Sequence, residues 1–274
     1  MIAPSPYRNP ETVDVYRRIT APGQFAEAAR DLTERLHLSE GARVLDVGTG
    51  TGVVAERAVQ YVGNSGLIIG VDASIEMLRA ATQALRYPVV AGALPSLPFR
   101  DEVFDVAAAG FVISHVTDYK RALRDIARVC KDRGRIGVTA WGALPNPAGQ
   151  LWTEVACRFV PPDDLNSAFL AHIPWDGLFS EPARLRNALE DAGLKSVSID
   201  TRIYRCRMST ADFLLSRDAS IQGSILDERL TVERRREFRN EVAEAFAARF
   251  GVSVEYDRDV HFAVGTKAEP PTAQ

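Results

Sequence analysis

The segment Val44-Leu45-Asp46-Val47-Gly48-Thr49-Gly50-Thr51-Gly52 constrains this chain more than any other. A short apolar run ends in three alternating glycines, and a helical pattern, Val53 to Val62, follows. Apolar runs of this length that end in glycine read as strands buried on both faces. Only glycine freely takes positive φ and lets a ligand approach the backbone. The helix beyond should open with unused N–H groups, which can hold a carboxylate as readily as a phosphate. The expected unit is therefore strand, tight turn, helix, with a ligand at the turn.

The rest of the chain extends this unit. Leu67 to Asp72, Val89 to Ala91, Val103 to Ala109 and Arg135 to Trp141 read as further strands. Ser74 is a candidate N-cap for a helix through about Arg86, and Asp118 to Lys131 places Leu123, Ile126, Ala127 and Cys130 at helical spacing. Strands from about Lys195 to Arg205 and Tyr256 to Val264 bring the count to seven. The fold class expected is α/β: a doubly wound, mostly parallel seven-stranded sheet with a helical cap built from insertions. Residues 1–40 form an N-terminal helical segment interrupted near Pro22-Gly23, and residues 41–141 a ligand-binding core. Residues 142–180 form a cap insertion, 181–208 return to the core, 209–252 form a second helical insertion, 253–267 the last strand and 268–274 a tail. In such sheets ligands bind beyond the carboxyl ends of the strands.

The glycine spacing discriminates between ligands. A dinucleotide turn needs Gly-x-Gly-x-x-Gly, and the residue three after Gly50 is Val53. This speaks against a nicotinamide-dependent oxidoreductase. Asp46, two residues before the first glycine, sits poorly beside a pyrophosphate and well beside a cation.

On these residues the chain resembles the class I S-adenosylmethionine-dependent methyltransferases, in particular their small-molecule, UbiE-like branch. Asp46 to Gly52 is similar to the family's first motif, and Asp72 ends the second strand as in "D-x-S-x-x-M-L", with Ser74, Met77 and Leu78 following. Gly92 to Phe104 resembles the family stretch "G-D-A-x-x-L-P-F … F-D". The resemblance covers about Ala42 to Trp141 and implies S-adenosyl-L-methionine as cofactor. It implies cofactor contacts from Asp46, Gly48, Thr49, Gly50, Gly52, Asp72, Ala73, Met77, Ala93, Leu94, Gly110 and Phe111. Asp72 would take both ribose hydroxyls. Ala93 stands where the family often has Asp, so the adenine amino group must find backbone, another side chain or water. Asp132-Arg133-Gly134 replaces the family's frequent Pro-Gly-Gly.

His115, just past the fourth strand, is the candidate catalytic residue, a general base with a pKa near neutral; packing is the competing reading. Tyr16 lies on the first helix, which in enzymes this chain resembles folds over the cofactor, and His172 is a candidate to line the pocket; packing or surface roles are the favoured readings of both, and His37 and His261 lack supporting context. Trp152, Phe159, Phe169, Trp175 and Phe179 either form a small core of the cap or line an apolar acceptor pocket. No Asn/Asp-Pro-Pro-Tyr motif follows the fourth strand, which argues against methylation of nucleic-acid bases.

A net charge of -3, from 33 basic and 36 acidic residues, offers no field for nucleic acid or an anionic membrane. The run Arg234-Arg235-Arg236, flanked by acids, reads as a solvated helix face. Three scattered cysteines fit neither a disulfide framework nor a metal site. No leader or membrane span is expected, so the compartment expected is the cytoplasm. The partner expected is a small-molecule acceptor, methylated on O, N or C; the oligomeric state is open. The competing function is S-adenosylmethionine binding without methyl transfer.

Overall fold

A computed structural model describes residues 6–84 and 87–269. The seven strands are β1 (Arg43–Val47), β2 (Leu67–Asp72), β3 (Val89–Ala91), β4 (Phe104–Gly110), β5 (Cys130–Trp141), β6 (Leu194–Ser209) and β7 (Ser253–Lys267). They form one sheet in the order β3-β2-β1-β4-β5-β7-β6. β1 to β5 are parallel, and β7 runs antiparallel to both β5 and β6. The chain order reverses between β1 and β4, so a crevice opens at their carboxyl ends. The doubly wound, mostly parallel sheet is thus the observed fold.

Helices cover both faces. Leu32 and Leu36 near the end of α2 (Ala26–Arg35) and Val54 and Ala58 of α3 (Val53–Val62) pack under Val44 and Ala108 on one side. α4 (Ile75–Ala84) follows β2, and Ser74 accepts a hydrogen bond from the Met77 N–H at 3.2 Å, as a helix N-cap does. The helix expected to reach Arg86 ends in the described residues at Ala84, and Arg86 itself lies outside them, as do residues 1–5 and most of the tail. On the other face, Leu123 and Ile126 of α5 (Tyr119–Val129) meet Leu185 and Leu189 of α9 (Pro182–Asp191).

The break expected at Pro22-Gly23 is instead a change of helix type. After α1 (Pro10–Val15), residues Tyr16–Phe25 wind as a wide π-helix that runs into α2. The Ala26 N–H donates to Ala21 O, five residues back. This wider turn carries the helix past a proline that has no N–H to donate.

β6 and β7 are longer than their alternation suggested. β5 pairs with β7 only from Val260 to Thr266, whereas β6 and β7 stay paired out to Ser209 and Ser253. The surplus projects past the sheet as a two-stranded arm. Upon it pack α6 (Pro147–Ala156), α7 (Pro162–His172), α10 (Thr210–Asp218), α11 (Ile221–Arg229) and α12 (Val232–Phe250), with a core of their own around Trp152, Phe213, Phe238 and Phe246. α8 (Asp176–Phe179) instead packs on the main core through Phe179.

Arg235 corrects the solvated reading of its charge run. It is buried and pairs with Asp227 at 2.6 Å and Asp218 at 3.0 Å, while Arg234 and Arg236 are exposed. Among the described residues no helix is long and apolar enough to cross a membrane.

Candidate functional site

The glycine turn at the end of β1 is held from inside. Gly48 and Gly50 take φ of +67° and +55°. A Cβ on Gly48 would lie 2.5 Å from Val112 Cγ2, so no side chain fits there. The Gly48 and Thr49 N–H groups donate to Val71 O at 2.8 and 3.0 Å, and Gly52 N–H donates to Thr49 O at 2.8 Å. The amides of Gly48, Thr49, Gly50 and Gly52 are therefore spent on the fold.

The carboxylates carry the polarity of the site. Asp72 ends β2 and accepts from Gly50 N–H at 2.9 Å and Ser74 N–H at 2.8 Å. Asp46 is buried on β1; its Oδ2 accepts from Thr49 Oγ1 at 2.7 Å and Ala55 N–H at 3.1 Å. Burial, with a smaller push from the Asp72 charge, raises Asp46 to about 7 against the pull of those hydrogen bonds. Burial likewise raises Asp72, against its backbone hydrogen bonds. Among the described residues neither carboxylate has a salt-bridge partner.

A cavity of about 490 Å³ opens at these two acids. Asp46, Gly48, Thr49, Gly50, Asp72, Ala73, Met77, Ala93, Leu94, Gly110, Phe111 and His115 all line it. Gly52 does not: it starts α3 with φ of +99°, and its carbonyl accepts from the Tyr87 hydroxyl at 3.4 Å. Tyr16 and His172, read as packing or surface residues, line the cavity too, together with Tyr7, Phe25, Thr139 and Ile221. Tyr16 reaches it from the π-helix, held edge-on to Tyr7 and stacked on Phe25. Phe111 takes φ of +56°, donates its N–H to Thr139 Oγ1 at 3.0 Å and sets its ring 4.4 Å from that of Trp141. A non-glycine residue in this conformation is held by its surroundings, as at many functional sites.

A second, more open cleft of about 990 Å³ adjoins the first and shares Tyr7, Tyr16, Phe25, His115 and Ile221 with it. His115 stands at the junction on a short turn, Ile113–His115. Solvent reaches its ring within the cleft, but the surrounding protein desolvates it, and with help from His172 this lowers its pKa to about 4. The near-neutral value expected of it is therefore corrected downwards. The cap aromatics are mostly core. Trp152 and Phe179 are fully buried, Phe159 packs on Phe238, and Trp175 donates its Nε1–H to Val116 O at 2.7 Å. Only Phe169 of the five lines the second cleft. Arg217 and Arg258, which no motif marked, line it as well. His261 is structural, bridging Thr201 Oγ1 at 2.8 Å and Ser180 O at 2.9 Å.

A sequence profile described as a methyltransferase domain matches residues 45–138, the stretch that builds the glycine turn, Asp72 and the β4 end of the cavity. Over this stretch the chain is similar to S-adenosylmethionine-dependent methyltransferases of the demethylmenaquinone type. A demethylmenaquinone methyltransferase of Mycolicibacterium vanbaalenii is 35% identical over 149 residues, covering 54% of this chain and 64% of that relative. The chain thus spans somewhat less than two-thirds of that relative's length. A demethylmenaquinone methyltransferase of Lactobacillus johnsonii is 29% identical over 182 residues, 61% of this chain and 73% of the relative. Among solved structures, Haemonchus contortus phosphoethanolamine N-methyltransferase 2, in complex with phosphomonomethylethanolamine and S-adenosylhomocysteine, superposes with a TM-score of 0.56 at 15% identity. That superposition covers 94% of this chain and 57% of that one, and it speaks to the methyltransferase fold alone.

Proposed function

We propose that this chain binds S-adenosyl-L-methionine in the smaller cavity and transfers its methyl group to O, N or C of a small, partly hydrophobic acceptor in the larger one. The observation that carries this reading is the pair Asp46 and Asp72: one carboxylate buried and one half-buried, neither with a salt-bridge partner among the described residues, facing one cavity. Buried acids without counter-charge are costly, and a cationic ligand relieves that cost. The cavity also offers an apolar slot at Met77, Ala93 and Leu94, suited to a flat heteroaromatic ring. Asp72 keeps lone pairs for two ribose hydroxyls beyond its backbone hydrogen bonds.

Bound there, the cofactor supplies a methyl group on a sulfonium whose departure needs no further activation. The task left to the protein is orientation, which can supply much of the acceleration. Tyr16 lines both cavities, and Phe111 lines the smaller one beside it. His115, neutral at pH 7 because of its lowered pKa, presents an imidazole lone pair there and takes the proton if the acceptor is a hydroxyl.

The acceptor partner is a small molecule; a net charge of -3 disfavours nucleic acid. The free thiols Cys130, Cys157 and Cys206 suit a reducing compartment, the cytoplasm. Calorimetric titration with S-adenosylhomocysteine and with NAD tests the cofactor. Binding of the first and silence of the second is expected, and the reverse pattern sinks the reading. Transfer of labelled methyl to candidate acceptors separates an enzyme from a protein that only binds the cofactor.

A further inference from the structure

The larger cleft holds two guanidinium groups that form no salt bridge with any described residue. Arg217 comes from α10 and Arg258 from the β7 arm. The Arg258 Cζ lies 3.6 Å from the centre of the Trp141 ring, and its side chain has no hydrogen bond or ion pair with any described residue. Arg217 donates to the Gln222 side chain and sits over Trp152 at 4.8 Å, but its Nε is buried without a partner among the described residues. Burial lowers Arg217 to about 10, and the neighbouring Arg258 charge acts in the same direction. Two like charges thus face one space.

The contrast with Arg235 is informative. That arginine is more deeply buried, and the fold supplies two carboxylates for it, Asp227 and Asp218. Unpaired buried charge is strongly destabilising, so a pair left without counter-ions points to an anion brought from outside. The acids of the cleft do not fill that role. Asp176 and Asp259 act on Arg258 only through space: neither lies within ion-pair distance of it, Asp176 is itself raised by burial, and Asp259 accepts from Leu144 N–H at 2.9 Å; Glu154 is exposed. Phe169, Ile173 and Ile221 supply apolar lining to the same cleft, among polar residues such as Gln150 and Thr153.

We propose that the methyl acceptor is an organic acid whose carboxylate is held by Arg217 and Arg258, its apolar body lying along Phe169, Ile173 and Ile221 and its nucleophile at His115. The proposal rests on the methyl-transfer reading for the position of the nucleophile. The carboxylate contact itself is measurable without turnover.

The test titrates the protein, saturated with S-adenosylhomocysteine, with 4-hydroxybenzoate, 4-hydroxycinnamate and 16-hydroxyhexadecanoate, each beside its primary amide. At least one acid is expected to bind about tenfold to hundredfold more tightly than its amide. In Arg217→Met/Arg258→Met that preference should shrink to about threefold or less, with S-adenosylhomocysteine affinity unchanged. The corresponding double lysine variant should keep part of it. If the methionine pair does not fold, Arg258→Gln alone replaces it. Absence of any acid-over-amide preference in the wild type, or its persistence in the variants, overturns the proposal. Failure of S-adenosylhomocysteine to bind overturns the cofactor reading instead, and the acid–amide comparison is then judged without it.

Discussion

The Asp72 carboxylate accepts a hydrogen bond from the Gly50 N–H at 2.9 Å, tying the end of β2 to the glycine turn after β1. One acid thereby does two things: it fixes the turn, and it turns its remaining lone pairs toward the cavity. Asp72→Ala should therefore weaken cofactor binding more than folding. Two charge-assisted hydrogen bonds to a ribose diol are worth about 1.5–3 kcal/mol each. The two exposed amides, Gly50 and Ser74, can recruit water. Calorimetry with S-adenosylhomocysteine and the urea midpoint are the paired measurements. A variant that loses stability but keeps wild-type affinity would show Asp72 to be a turn fastener only.

Asp46 makes the site sensitive to pH. Its native pKa is raised from 3.8 to about 7, chiefly by burial. Between those values the native state holds a proton that the unfolded chain has released, so this group's contribution to stability falls as pH rises through the window. Asp46→Asn removes that dependence. The urea midpoint of the variant minus that of the wild type should therefore climb between about pH 4 and pH 8. A cation bound beside Asp46 favours its ionised form, so binding of S-adenosylmethionine near neutral pH should release a proton. Titrations in buffers of differing ionisation enthalpy read that proton directly, and equal heats in all buffers would contradict the assignment.

Gly48 tests the packing behind the turn. A Cβ at this position meets Val112 Cγ2 at 2.5 Å, on a residue whose φ is +67°. Steric overlap and backbone strain together should cost about 2–4 kcal/mol in Gly48→Ala. Removing the clash with Val112→Ala should return part of that loss and leave the φ penalty, a non-additivity that a double-mutant cycle measures. An unchanged urea midpoint in Gly48→Ala would mean the turn is far looser than its geometry.

The same contrast explains what could be read from the sequence. Asp46, the glycine turn and Asp72 were legible because local geometry dictates them: a turn that tight requires those residue types at that spacing. Arg217 and Arg258 were not. They lie in different elements, and they meet only because β6 and β7 outrun β5 and carry α10 back over the sheet. Strand length past the sheet is set by tertiary partners and leaves little trace in alternation. The π-helix was hidden for a related reason. Pro22-Gly23 reads as a breaker by propensity, whereas packing of α2 against β4 and β5 holds the helix on course through it. Gly52 shows the converse, a motif glycine that serves the helix start while its neighbours face the cavity.

His115 joins the two cavities and supplies the sharpest test of chemistry. Desolvation by the protein around its ring, with the His172 charge adding to it, lowers its pKa to about 4. The imidazole is therefore already unprotonated throughout the neutral range and ready to accept a proton. It follows that kcat/KM should show no histidine limb between about pH 5.5 and pH 8. NMR titration should find the His115 ring signals flat across that range, and His172→Ala should move its titration upwards. If the acceptor nucleophile is a hydroxyl, His115→Ala should lower turnover about 10²–10⁴-fold while S-adenosylhomocysteine affinity stays near wild type. If the nucleophile is an amine or a carbanion already free of its proton, the loss should be much smaller, because no proton need move in the rate-limiting step. A hydroxyl acceptor turned over at full rate by His115→Ala would reduce the residue to a wall of the cleft.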